Sequence, residues 1–287
     1  MVGDKNEGKL MSYRTILVQT EDSVPGRMQV KAAVDLAKRF NASLTGAYLK
    51  AEQIPAMFVG DAFTAVTLAE NFLAEREELI SAASQKAKAM FEAAAAEGGV
   101  PHSWVEINGD SEEALTLAAR RHDLSVLRRE LQPVGGSTPI LASEVAMACG
   151  GPVLVLPEAG YPIPFGSNIL VGWKEGRESA RATRDALPFF GAAKKVTFLT
   201  VSHDAPEDLD AMRLTQLAAH GCQTASAVVD RSDTHSTGTA IRLRCDMVGA
   251  DMIVLGLYGH SRLQQLLLGG VSRELLSTFD MPMLVSH

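Results

Sequence analysis

The 287-residue sequence predicts an α/β protein built as two tandem doubly wound domains, each around a five-stranded parallel sheet. Three features lead there. Short runs rich in Val, Ile and Leu alternate with longer segments of helical period. The runs are apolar along their whole length, as strands covered on both faces must be. The order of runs in the first half recurs in the second.

In the first half the opening strand lies in RTILVQTED (14–22). The helix after it, GRMQVKAAVDLAKRF (26–40), puts Val30, Ala33, Val34 and Ala37 on one face. ASLTGAYLK (42–50) reads as the second strand. An extra stretch follows, AEQIPAMFVGDAFTAVTLAENFL (51–73), broken by Pro55 and Gly60 and otherwise apolar and helix-prone. It reads as a packing helix or lid; the functional alternative is an apolar pocket wall or a partner surface. EREELISAASQKAKAMFEAAAAEGG (75–99) predicts a long amphipathic helix stopped at Gly98 and Gly99. The remaining strands are SWVEING (103–109), LSVLRRE (124–130) and GPVLVLP (151–157).

PEAGYPIPFGSN (157–168) holds three prolines and two glycines and can continue neither helix nor central strand. It separates a domain at 12–157 from one at 167–287. The second half repeats the plan. SNILVGWKE (167–175) matches RTILVQTED, ADMIVL (250–255) matches HDLSVL (122–127), and MPMLVSH (281–287) matches GPVLVLP. ESARATRDALPFF (178–190) reads as its first helix. KKVTFLTVS (194–202) and QTASAVVD (223–230) read as its second and third strands, and DMIVLGL (251–257) as its fourth.

A net charge of −7 argues against a nucleic-acid partner, which would require a basic surface. No apolar run is long enough to span a bilayer, and residues 1–14 lack the apolar middle of a secretion signal. Cys149, Cys222 and Cys245 form no paired motif and read as buried thiols in a reducing compartment. Cytoplasmic residence is the expectation. The seven histidines lack ligand spacing, so no metal site is expected. No phosphate loop of the G-x-x-x-x-G-K-[ST] kind and no nucleophile elbow is present, and no catalytic residue is assigned.

The segment that carries chemistry is GLYGHSRLQQLLLGGVSRELL (256–276). Gly256 ends the fourth strand of the second half, at the carboxyl edge where open α/β sheets bind ligands. There Gly256 and Gly259 would let the backbone turn and a ligand lie against it. Gly269 and Gly270 would precede a helix starting near Val271 or Ser272, whose unpaired N–H groups attract anions. The Ser272 hydroxyl would cap that helix or donate to a phosphate oxygen. His260 and Arg262 follow Gly259 and would either touch a polyphosphate or form a solvated loop tip.

With these residues in view, the chain resembles a tandem member of the universal stress protein family, from about residue 13 to 287. The resemblance implies the adenine nucleotide alpha hydrolase-like fold. It also implies a G-x-x-G, nine residues, G-[ST] motif that holds the phosphates and ribose of ATP, with or without Mg. Gly256, Gly259 and Gly269 match that motif, and Gly270 replaces its usual hydroxyl residue. The family's Asp after the first strand is here Lys174, preceded by Gly172 and Trp173. An acceptor has become a donor-only cation, which alters affinity or base preference. Trp173 is either core or a stacking surface. By the same resemblance Val201 lines the adenine slot.

The first half lacks the motif. Arg128 stands at the place of Gly256 and Leu131 at that of Gly259, with Gly135, Gly136, Ser137 and Thr138 displaced. The resemblance therefore implies an ATP-binding stress-response protein with little or no catalysis, whose first half is a degenerate copy. Pairing of PVLVLP with PMLVSH inside the chain is expected, and a further homodimer is left open. The alternatives are an interaction module serving an unknown protein partner, or a binder of another anionic metabolite.

Overall fold

A computed structural model describes residues 12–50, 62–108, 112–131, 140–158, 160–202, 211–220, 222, 224–231, 235–257, 275 and 279–287. Gly259, His260, Arg262, Gly269, Gly270, Val271 and Ser272 lie outside the described residues, as does most of the break at 51–61.

The strands of the first half are β1 (Thr15–Gln19), β2 (Ser43–Lys50), β3 (His102–Asn108), β4 (Leu124–Arg128) and, after a small ribbon of β5 (Glu130–Leu131) and β6 (Ile140–Leu141), β7 (Val153–Leu156). Those of the second are β8 (Asn168–Gly172), β9 (Lys195–Val201), β10 (Ala225–Asp230), β11 (Met252–Gly256) and β12 (Met283–Ser286). All ten main strands join one sheet in the order β10-β9-β8-β11-β12-β7-β4-β1-β2-β3. Within each half the pairs are parallel. The halves meet where β12 runs antiparallel to β7, with Leu284 opposite Leu154. The two expected sheets are thus halves of one, joined by the expected pairing.

Helices cover both faces. On one face lie α1 (Val24–Phe40), α2 (Ala62–Glu97), α5 (Arg177–Asp185), α6 (Leu187–Phe190) and α7 (Ala211–Ala219); on the other lie α3 (Glu112–Ala119), α4 (Ala142–Cys149) and α8 (Thr237–Val248). Alternation along each strand feeds both layers: Ile16 and Val18 face α1, while Leu17 faces the α3 side.

Local chemistry sets the element ends. The Ser23 hydroxyl accepts the Gly26 N–H, and Pro25 sits in the first turn of α1, where a missing N–H costs nothing. Asn41 closes α1 in the left-handed conformation, at φ 52°. The segment at 62–73, expected as a separate element, continues into the amphipathic helix, making α2 36 residues long. The helix stops where expected, with Gly99 at φ +64°. The single helix expected at 178–190 is two, because Pro188 starts α6 and the chain pivots at Ala186.

One device appears in both halves. The Asp123 carboxylate accepts the Arg14 and Thr15 N–H groups at 2.7 and 2.9 Å. The Asp251 carboxylate accepts Gly166, Ser167 and Asn168 N–H at 3.1, 3.0 and 2.9 Å. Each Asp precedes the fourth strand of its half and ties down the start of the first.

Candidate nucleotide site

In each half the strand order turns back beside the first strand, so a crevice opens between the carboxyl ends of β8 and β11. Gly172 ends β8 there. A Cβ on it would meet Leu255 Cδ2 at 2.5 Å and Ile241 Cδ1 at 3.8 Å, so the space on its α8 side is taken by the Leu255 side chain. Val201, at the end of β9, packs on the same apolar layer. Beyond Gly172 the pairing with β9 continues, since the Trp173 N–H donates to the Leu199 carbonyl at 2.8 Å. Lys174 follows β8 and is exposed. The Lys174 N–H donates to Ser179 Oγ at 3.2 Å, which fixes the backbone at that point.

Trp173 takes the core role, one of the two that the sequence left open. Its indole packs in the opposite layer, 6.3 Å from Phe198, on the α5 side. Alternation along an extended chain makes this unavoidable: if Gly172 faces α8, the next side chain cannot.

Gly256 has a close neighbour of its own. A Cβ there would lie 2.5 Å from the Glu178 carbonyl carbon and 2.6 Å from the Ser179 nitrogen. The glycine is needed because the first turn of α5 presses on β11, and the close approach is made by helix rather than guest. Two groups beside this contact escaped sequence reasoning. Glu178 is buried and takes the Arg177 Nε–H at 2.6 Å. Burial alone would raise its pKa; the bond from Arg177, a backbone N–H and the charges of Arg177 and His287 together hold the carboxyl below the usual carboxylate range. His287 donates Nδ1–H to the Leu257 carbonyl at 2.8 Å. An acidic residue in the first turn of a helix was a readable signal for Glu178; His287 gave none.

The first half carries long side chains where the second has glycine. Gln19 takes the place of Gly172 and is 3% exposed. Arg128 takes the place of Gly256, and its guanidinium is buried in an ion pair with Glu21, whose other oxygen accepts the Ser23 hydroxyl. Arg129 reaches across to the carbonyl of Phe279. The three cysteines are buried without disulfides, and burial raises each thiol, Cys245 to about 12.

Among the described residues, no helix is long and apolar enough to cross a membrane. No curated protein matches the chain. The fold is similar to that of a universal stress protein from Archaeoglobus fulgidus DSM 4304, at 15% identity and a TM-score of 0.66, covering 95% of this chain and 97% of that one. It is also similar to a functionally unknown protein from Pseudomonas aeruginosa PAO1, at 18% identity and a TM-score of 0.55, covering 96% and 92%. Residues 167–287 match the universal stress protein family itself. The second half of the chain therefore matches the universal stress protein family, within a fold shared over nearly the whole length with a solved member.

Proposed function

We propose that the second half binds a nucleotide at the carboxyl ends of β8, β9 and β11, with ATP the first ligand to try, and that the protein acts in stress response with little or no catalysis. The observation that carries this reading is the contrast between the halves at two strand ends: Gly172 and Gly256 stand where the first half buries Gln19 and the ion-paired Arg128. The glycine motif at Gly259, Gly269 and Gly270, with Ser272, supplies the phosphate end by sequence. One nucleotide per chain follows from the closed first half. Buried thiols without disulfides support a cytoplasmic setting.

Calorimetric titration of ATP into the whole chain, repeated with Gly269→Val, tests the reading. The expected result is a stoichiometry of one and loss of binding in the variant. Equal heats in the two proteins would end it.

A second reading has its own support. Gly256 is accounted for by helix packing, and Lys174 replaces an acceptor, so the domain would serve as a module for a protein partner. That reading expects no shift in melting temperature with millimolar ATP. It also expects native mass spectrometry of fresh protein to show a bound polypeptide and no bound nucleotide.

A further inference from the structure

We infer that His287 is a positioning residue for the nucleotide site, setting the direction in which the chain leaves β11 for the glycine motif; this rests on the nucleotide reading above. Leu257 follows β11 directly and is 0% exposed. Its N–H donates to the Ser286 carbonyl at 2.7 Å, which carries the ladder with β12 one step past Gly256. In a parallel ladder the Leu257 carbonyl would next accept a backbone N–H. Here the His287 ring takes that place, with Nδ1 2.8 Å away. A carbonyl only accepts, so Nδ1 carries the proton. The N–H of Leu257 belongs to one planar peptide unit and its carbonyl to the next, so the two bonds together fix φ and ψ there. The Glu178 main chain presses on Gly256 and its carboxyl interacts with His287, which sets the ring by the first turn of α5.

The first half makes the same junction differently. Matching MPMLVSH with GPVLVLP puts Pro157 at the place of His287, and a proline ring donates nothing. The carbonyl of Arg129, at the place of Leu257, accepts the N–H of Ala142 at 3.1 Å, the residue that opens α4. That half closes the junction within the main chain, with β5 paired to β6 across it, and it lacks the glycine motif. The half that carries Gly259, Gly269 and Gly270 uses a side chain from the end of β12 instead. A chain whose exit is fixed in advance has less freedom to lose when a phosphate arrives, so it binds more tightly.

The test titrates ATP calorimetrically into the full-length protein and its His287→Leu, His287→Asn and Asp123→Ala variants, with circular dichroism to show that all are folded. Leucine donates nothing, whereas the asparagine amide can set an N–H where Nδ1 stands. Asp123→Ala removes an anchor in the other half and controls for lost stability alone. ATP is expected to bind His287→Leu about tenfold more weakly than wild type, and His287→Asn and Asp123→Ala within about threefold of it. Equal affinity in wild type and His287→Leu, or a matching loss in His287→Asn or Asp123→Ala, overturns the positioning role and leaves nucleotide binding standing. Absence of heat with the wild type overturns both.

Discussion

Glycine means two different things within one site. Gly172 admits the Leu255 side chain on the α8 face, while Gly256 admits the backbone of a neighbouring helix. Sequence placed both at strand ends but could not tell these uses apart, because the difference lies in which face each residue turns and what covers it. Gly256→Ala is expected to destabilise the protein by about 1–3 kcal/mol, read from denaturant midpoints, since the clash is with backbone that cannot rotate away. Tyr48 gives a second case. Among the described residues its buried hydroxyl has no hydrogen-bond partner, and burial, then Glu106 and Glu21, push its pKa to about 12. A phenol with a raised folded pKa contributes fully below the unfolded value and loses that contribution as pH climbs through the folded one. Tyr48→Phe should therefore add about 1 kcal/mol at neutral pH and flatten the loss of stability between about pH 10 and about pH 12. Urea titrations at several pH values would show it; a variant curve parallel to wild type would refute the cause assigned here.

Elements were legible where their period was long or their caps explicit. The start of α1 and the stop of α2 follow from Ser23, Pro25 and Gly99. The length of α2 was not legible, because an apolar stretch beside a charged one looks like two elements when nothing in composition says they share an axis. The pivot at Ala186 was missed for the opposite reason: Pro188 lies inside an apolar run that hid it. The paired aspartates, visible only as matching letters in HDLSVL and ADMIVL, turn out to anchor first strands. Asp251→Ala should cost about 2–3 kcal/mol, because three N–H groups lose a charged acceptor together. Thermal unfolding followed by circular dichroism checks this, and a loss within error would mean that water replaces the carboxylate.

Across the whole molecule, the repeat was the most readable feature and the contacts between copies the least. The junction of β7 with β12 was expected from two matching apolar strands. The packing around it was not: Tyr13, Phe40 and Phe189 meet edge to face at 5.1–5.9 Å, and Arg39 donates to the carbonyls of Phe165 and Phe189. No local pattern announces a contact between residues so far apart in the chain. With one tryptophan in each half, Trp104 and Trp173, cooperativity can be read directly. Trp104→Phe and Trp173→Phe variants should each show a single fluorescence transition that coincides with circular dichroism measured on the same protein. A tryptophan signal that moves apart from the circular dichroism would show that the halves melt separately. Leu154→Asp, placing a charge opposite Leu284 where both are fully buried, should abolish folding of the whole chain rather than one half.

The antiparallel seam of β7 with β12 has a bearing on how the protein behaves when scarce. Two separate chains holding each other by such a seam fall apart on dilution, since their association depends on how often they meet. Here a peptide tether keeps the partners permanently within reach, at a local abundance no cell would otherwise supply. A handful of copies stays as fully assembled as thousands would.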